Sequence, residues 1–196
     1  MVLDEINKHS VILASRSPRR QRLLEGCGIK FKVKLPEKVN ETFPETFKAE
    51  QIALHLAHLK SDAFGEVSNN EIVITADTIV WMGDKVLDKP ENYNEAVRTL
   101  SQLSTNCHDV ITGVCLRSAT KRKTFHVTTR VYFDCLTEEE IEYYVSTYKP
   151  YDKAGAYGIQ EWIGFIGVEK IEGSFYNVMG LPVHQLYREL VSFIKH

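Results

Sequence analysis

A short run of serines and arginines, Ser15-Arg16-Ser17-Pro18-Arg19-Arg20, directly follows the apolar residues 11–14. This order is typical of a strand, a tight loop and a helix start, with Ser17 at the N-cap and Pro18 in the first turn. Arginines in a first turn oppose the helix dipole by about 0.3 to 1 kcal/mol each, and a bound anion offsets that cost. Since helix amides and guanidinium groups both suit phosphate oxygens, the run predicts a phosphate site. The alternative is a basic helix end exposed to solvent.

An acidic residue in the middle of an apolar stretch is the second candidate for chemistry. Asp77 lies between the strand-like segments 72–74 and 79–81, where an unpaired charge is costly. Three partners remain open: a metal ion, a catalytic proton, or the backbone amides of a bulge. Lys60 and Lys89 are candidates to bring positive charge to the same cleft, although either side chain can also extend along the surface.

A third segment, 152–160, is rich in small residues and ends in Gln160. Glycines allow a ligand to approach the backbone closely, and one amide offers both a donor and an acceptor to a base edge. The sequence contains neither GxxxxGK[ST] nor GxGxxG, so it gives no support to those two nucleotide-binding loops.

The elements that must position these residues follow from hydrophobic periodicity. Strands are expected near 11–14, 31–33, 72–74 and 79–81, with a hairpin near 109–117 and 124–134. Helices are expected at 18–26, 47–64, around 96–103, at 138–146 behind a Thr137-x-x-Glu140 capping box, and at the C-terminus around 186–193. This alternation lacks the regular spacing of a doubly wound sheet. It predicts a mixed α/β sheet flanked by helices.

The composition of the chain limits the classes of partner that it is expected to bind. The chain has 196 residues, 24 basic and 26 acidic, and a net charge of -2, which gives no overall field for a nucleic acid. A small anionic ligand is expected instead. No apolar run reaches the length of a membrane span and no signal peptide is evident, so a cytoplasmic location is expected. The four cysteines match neither a CxxC motif nor a zinc ribbon, which predicts buried, reduced thiols.

Several ordered blocks of this sequence match one family. The chain resembles the Maf-like nucleotide pyrophosphatases over nearly its whole length, which implies one domain spanning 1–196. The matching blocks are 13–20, Leu56-Ala57 with Lys60, Ala76-Asp77-Thr78, Lys89-Pro90, 152–160 and Asn177-Val178-Met179-Gly180-Leu181-Pro182. The resemblance implies a fold like that of the inosine triphosphate pyrophosphatases, with two lobes around a central cleft, and a homodimer.

The resemblance also implies hydrolysis of a nucleoside triphosphate to the monophosphate and pyrophosphate, with Mg²⁺ or Mn²⁺ as cofactor. The segment 152–160 resembles the branch that acts on dTTP and UTP. A nucleotide-sensing regulator of septation, with slow or incidental hydrolysis, is the alternative, and turnover distinguishes the two.

Carried over by position, Asp77 matches the proposed proton acceptor, which can also hold the metal, and Lys60 and Lys89 match lysines that face the phosphates. The expected substrate-binding residues are Ser15, Ser17, Arg19, Arg20, Thr78 and Gln160. Glu41 best matches the second acidic metal-binding position, with Glu37 and Glu45 as alternatives. Two positions depart from the family pattern: Asn40 stands where an acidic residue is frequent, and Glu161 replaces a glycine.

Overall fold

Seven strands form one mixed sheet in the computed structural model, which describes residues 2–36 and 39–195. The strands are β1 (Ser10–Leu13), β2 (Phe31–Val33), β3 (Glu71–Met82), β4 (Lys85–Val86), β5 (Cys107–Arg117), β6 (Arg122–Phe133) and β7 (Val168–Glu172). Their order is β2-β1-β3-β5-β6-β7, and β4 pairs with β3 off this path. β1 is parallel to β2 and β3, whereas the other pairs are antiparallel. The predicted mixed sheet and its β5–β6 hairpin are therefore confirmed.

The strand that carries Asp77 is longer than predicted. Two short strands were expected at 72–74 and 79–81, but β3 is a single strand of 12 residues. Its ladder with β5 runs without a break from Val73–Arg117 to Trp81–Asp109, and Asp77 lies opposite Gly113. The acidic residue therefore lies within the ladder without a bulge.

Eight helices cover the sheet in the described part of the chain: α1 (Val2–Ile6), α2 (Pro18–Gly26), α3 (Glu50–Asp62), α4 (Tyr93–Leu103), α5 (Glu138–Tyr148), α6 (Trp162–Gly167), α7 (Phe175–Val178) and α8 (Val183–Lys195). The capping box of Thr137 and Glu140 at the start of α5 is confirmed. α3 is shorter than the predicted 47–64, because Ala49 has a φ of 45°, outside the helical region.

The apolar core divides into two main clusters. One joins β1, α2 and α8 to the first half of β3 through Ile72, Ile74 and Ala76. The other joins α4, α5 and α6 to the second half of β3 through Val80. Asp77 and Thr78 therefore lie where β3 passes from one cluster to the other, as expected for two lobes around a cleft.

The thiols differ from the prediction. All four cysteines are free, but only Cys115 is buried and Cys27 is half-buried. Cys107 and Cys135 are exposed, because one begins β5 and the other lies in the loop before α5. In the described ranges, no helix is long and apolar enough to cross a membrane.

Candidate active site

One cleft of about 690 Å³ brings together residues from distant parts of the chain. A volume of this size is ordinary for a small-molecule site. The cleft is lined by every residue that the sequence analysis placed in the site, namely Ser15, Ser17, Arg19, Arg20, Glu41, Lys60, Asp77, Thr78, Lys89 and Gln160. Their roles in binding or catalysis remain predictions.

The loop between β1 and α2 has the predicted geometry. The Ser15 hydroxyl accepts a hydrogen bond from the Ser17 amide at 3.2 Å. Ser17 is the N-cap of α2, and its hydroxyl accepts a hydrogen bond from the Arg20 amide at 3.4 Å. No acidic residue lies in the first turn of α2, so no side chain in that turn neutralises the helix dipole there. The loop thus presents a positive helix end to the cleft.

Arg20 is fixed within the protein rather than extended into the cleft. Its guanidinium donates to the Gly180 carbonyl at 2.7 Å, the Ala76 carbonyl at 2.7 Å and the Thr78 hydroxyl at 3.0 Å. Burial lowers the pKa of Arg20, an effect that the charge of Asp77 partly offsets, and a guanidinium nevertheless stays protonated at neutral pH. Arg20 therefore ties α2 to β3 and to the Gly180 turn, and its charge lies beside the cleft.

Arg19 faces the opposite wall. Its Nη1 lies 3.0 Å from Oδ2 of Asp152, whose Oδ1 accepts from Lys153 at 2.8 Å. Partial burial alone would raise the pKa of Asp152, but the hydrogen bonds from Lys153 and Arg19 lower it overall. This ion pair joins the loop between β1 and α2 to segment 152–160.

Lys60 connects two carboxylates at the floor of the cleft. Its Nζ lies 2.5 Å from Oδ1 of Asp77 and 3.1 Å from Oε2 of Glu41. Asp77 is only 8% exposed, so the ammonium stabilises a carboxylate that has little water around it. Of the alternatives to Glu41, Glu45 does not line the cleft and Glu37 lies outside the described residues.

The packing of α3 against the sheet sets the position of Lys60. A Cβ on Gly113 would lie 2.2 Å from the Ala53 carbonyl oxygen, so the backbone of α3 rests directly on β5. The Thr75 hydroxyl also donates to the Ala57 carbonyl at 2.7 Å. These contacts hold the last turn of α3, with Lys60, beside Asp77.

Lys89 and Gln160 lie at other parts of the cleft lining. Lys89 is exposed and makes no ion pair with any described residue. The Gln160 Oε1 atom is buried and lacks a hydrogen-bond partner among the residues that the structure describes. A buried acceptor without a partner is costly, and a donor from a ligand would remove that cost.

Comparison with known proteins decides the family. The sequence profile of the Maf-like protein family matches residues 10–193. The chain belongs to the Maf-like protein family. Curated relatives of this Maf-like protein include the dTTP/UTP pyrophosphatase of Phocaeicola vulgatus, 52% identical over 190 residues that make up 96% of this chain and 98% of the relative. The dTTP/UTP pyrophosphatase of Parabacteroides distasonis is 50% identical over 193 residues, 98% of this chain and 100% of the relative.

A more distant likeness links this Maf-like protein to a solved structure, that of the Staphylococcus aureus Ham1 protein. The TM-score is 0.41 and the sequence identity 12%, over 63% of this chain and 71% of the other.

Three features of the site in this Maf-like protein were missed by sequence reasoning. Arg16 lines the cleft beside Arg19, Asp152 pairs with Arg19, and Thr112 contacts the Thr78 hydroxyl at 2.9 Å. Asp152 stands in a block that the family resemblance had marked, so its position was a usable signal. Thr112 carried none, because its place opposite Thr78 depends on the register of β5.

Proposed function

We propose that this Maf-like protein hydrolyses dTTP and UTP to the nucleoside monophosphate and pyrophosphate, by attack of water at the α-phosphorus with a divalent cation. The observation that carries the proposal is one cleft that joins the arginine-bearing loop before α2, the nearly buried carboxylate of Asp77 and the amide of Gln160. Full-length relatives at about half identity that are named dTTP/UTP pyrophosphatase support the same substrate class.

The phosphate end of the proposed site supplies positive charge. A triphosphate repels an attacking nucleophile, so the reaction needs cationic groups on its oxygens. Arg19 and Lys89 line the cleft, and the start of α2 adds its helix dipole. We assign these groups to binding the α-phosphate, which water attacks, and the pyrophosphate that leaves.

Asp77 is the residue that we assign to activation of water. Its carboxylate is nearly buried and contacts Lys60 at 2.5 Å. A carboxylate held at a fixed position can orient water and accept its proton as the oxygen attacks phosphorus. Its contact with the Lys60 ammonium holds this carboxylate in place until the substrate is bound.

The donor set of the site fits a hard cation. Asp77 and Glu41 both lie within 3.1 Å of the Lys60 ammonium, so two carboxylates already converge on one positive charge. One or two carboxylates together with substrate phosphates are the usual ligands of Mg²⁺. No group of three or more His, Cys, Asp or Glu able to hold a metal occurs in the described part of the chain, which is consistent with a cation that arrives with the nucleotide. When bound, such an ion would neutralise charge on the phosphates.

Gln160 is the residue that we assign to the base. Uracil and thymine present a carbonyl beside an N–H, and one amide can pair with both. Apolar side chains that face the same cleft, Val110 and Tyr157 among them, provide space for a flat ring.

We also propose a cytoplasmic homodimer. The substrates are cytoplasmic, and four free cysteines fit a reducing compartment. Large apolar side chains are exposed at Phe165 and Ile166, at 79% and 41%, and at Phe175 and Tyr176, at 41% and 51%. Exposed apolar surface of this kind is common at subunit contacts. Light scattering after gel filtration will give the mass, and a monomer at micromolar concentration would contradict the dimer.

Product analysis tests the proposed reaction. The protein is incubated with UTP, dTTP, CTP, ATP, GTP and 7-methyl-GTP, each with Mg²⁺ or Mn²⁺. We expect equimolar monophosphate and pyrophosphate, with the highest kcat/KM for dTTP and UTP. Release of diphosphate and orthophosphate would contradict attack at the α-phosphorus. Tight binding without turnover would favour a nucleotide-sensing regulator instead.

A further inference from the structure

A charged network lies behind the base-reading part of the cleft, and Glu161 is at its centre. Its Oε1 lies 3.1 Å from the Lys153 ammonium, and its Oε2 accepts from the Tyr144 hydroxyl. The side chains of Lys153 and Glu161 are 9% and 20% exposed. Glu161 is the N-cap residue of α6, but its side chain makes no capping hydrogen bond. The carboxylate thus contacts Lys153 and Tyr144 and does not cap its own helix.

The network holds the backbone next to Gln160. The Gly158 amide donates to the Tyr144 hydroxyl at 3.0 Å, so the oxygen bound to Glu161 also fixes this segment. A Cβ on Gly158 would lie 2.8 Å from Cδ of Glu161 and 3.1 Å from Nε2 of Gln160. The carboxylate and the amide therefore pack on the same side of Gly158, where a negative charge favours the nitrogen end of the amide.

The same network reaches the phosphate loop. Lys153 donates to Asp152 at 2.8 Å, and Asp152 accepts from Arg19 at 3.0 Å. One continuous series of contacts therefore connects Glu161, next to the Gln160 amide, with Arg19 in the proposed phosphate loop.

We infer that Glu161 is a positioning residue that holds the Gln160 amide in the orientation that accepts uracil or thymine and rejects cytosine. The two ends of an amide have nearly the same shape, but exchanging them exchanges donor and acceptor. Cytosine presents an amino group beside a bare nitrogen, the reverse of the uracil pattern, so a freely rotating amide would not distinguish the two. This inference rests on the proposed function.

The test compares Glu161→Gln with the unmodified protein on UTP and CTP. The amide keeps an acceptor for Tyr144 but loses the charge that faces Lys153 and Gln160. We expect KM for UTP to rise about tenfold with kcat within about twofold, and the UTP to CTP ratio of kcat/KM to fall about tenfold. The matched control is Glu142→Gln, which replaces an exposed glutamate on α5. It should leave KM, kcat and the UTP to CTP ratio unchanged.

A double-mutant cycle separates positioning from general damage. If Glu161 acts through Gln160, Glu161→Gln will change the UTP to CTP ratio less than about twofold in a Gln160→Ala background. Independent effects of the two substitutions on that ratio would overturn the inference, as would an unchanged ratio in Glu161→Gln. Lys153→Met combined with Glu161→Gln removes both charges of this ion pair, and melting temperatures identify any variant that fails to fold.

Failure of the inference and failure of the proposed function give different results. If the unmodified protein cleaves UTP and Glu161→Gln prefers UTP over CTP to the same extent, the inference is wrong and the proposed function stands. If the unmodified protein does not cleave UTP, the function is wrong. Binding of a non-hydrolysable UTP analogue and of its CTP counterpart then tests the inference by itself, because a lost preference in Glu161→Gln would still support it and an unchanged one would overturn it.

Discussion

Lys60 has an unusual position for a residue expected to face phosphate, because its ammonium lies between two carboxylates. Asp77 is at 2.5 Å and Glu41 at 3.1 Å, so the single charge of the lysine offsets one of their two negative charges. A substrate that arrives with a divalent cation changes this balance, since the cation competes for the carboxylates and the phosphates attract the lysine. The same side chain can therefore stabilise the empty site and contact the occupied one.

Replacement of Asp77 by Asn tests its proposed part in the reaction. Asn keeps the size of the side chain but cannot accept a proton, so kcat should fall at least about 100-fold. Steady-state kinetics at saturating UTP and Mg²⁺ measure this, and circular dichroism checks the fold. Asp84→Asn, in an exposed turn with a φ of 61° that Asn tolerates, is the control. Turnover near that of the unmodified protein would mean that Asp77 is structural.

His108 gives a prediction for stability against pH. Burial lowers its pKa to about 4, with Asp109 acting weakly in the opposite direction, and its Nε2 lies 2.7 Å from the Tyr157 hydroxyl. The unfolded chain binds a proton near pH 6.5 and the folded one does not until about pH 4, so stability is lost as pH falls through this window. From pH 7 to pH 5 the protein should lose about 2 kcal/mol more of its unfolding free energy than His108→Gln. Urea unfolding at both pH values measures the difference, and equal losses would contradict it.

At the level of elements, the contact between α3 and β5 sets the geometry of the site. Gly113 lies opposite Asp77 in the β3–β5 ladder and directly under Ala53 of α3. This glycine thus allows the helix that carries Lys60 to approach the sheet closely. A larger side chain would meet the backbone of α3.

Gly113→Ala should therefore damage both fold and activity. The added methyl would meet the Ala53 carbonyl oxygen at 2.2 Å, which forces α3 away from the sheet. We expect the unfolding free energy to fall by about 2 kcal/mol, as is usual for overpacking, and kcat to fall with the displacement of Lys60. Gly26→Ala is the control, because no atom lies within 4 Å of its Cβ position and the residue ends α2. A stable and active Gly113→Ala protein would contradict this account of α3.

Those parts of the fold and of the site that depend on neighbouring residues could be predicted from the sequence. The N-cap at Ser17, the capping box at Thr137 and the hairpin of β5 and β6 follow from neighbouring residues and are present. The continuity of β3 could not be predicted, because the strand that pairs with it at Asp77 is β5, which lies 36 positions away in the sequence at that point. The block that contains Asp152 could be marked from the sequence, but its pairing with Arg19 could not, since the two residues are 133 positions apart along the chain.

At the level of the whole molecule, the cleft takes residues from both core clusters, so a ligand in it bridges the two. Ala76 belongs to the cluster with α2 and α8, Val80 to the cluster with α4 and α5, and both line the cleft. A bound nucleotide should therefore stabilise the protein as one unit.

Thermal unfolding with a non-hydrolysable UTP analogue tests this. At an analogue concentration about 100 times Kd, with Mg²⁺ present, the unfolding free energy should rise by about 2.7 kcal/mol in a single transition. Chelation of the metal with EDTA should remove most of the gain, because Asp77 and Glu41 then repel the triphosphate. Two separate transitions, only one of them shifted, would contradict stabilisation of the molecule as a unit.

The single strand β3 has a consequence for how the enzyme proposed here would work. A 12-residue strand hydrogen-bonded to its neighbours along its length resists bending, and it passes through both core clusters with Asp77 and Thr78 at the crossing. Any closing motion on substrate must then come from the rim of the cleft and not from a hinge in its floor. In the proposed reaction, the polar groups on this strand would already be oriented before the nucleotide arrives, so little energy would be spent on reorganising them.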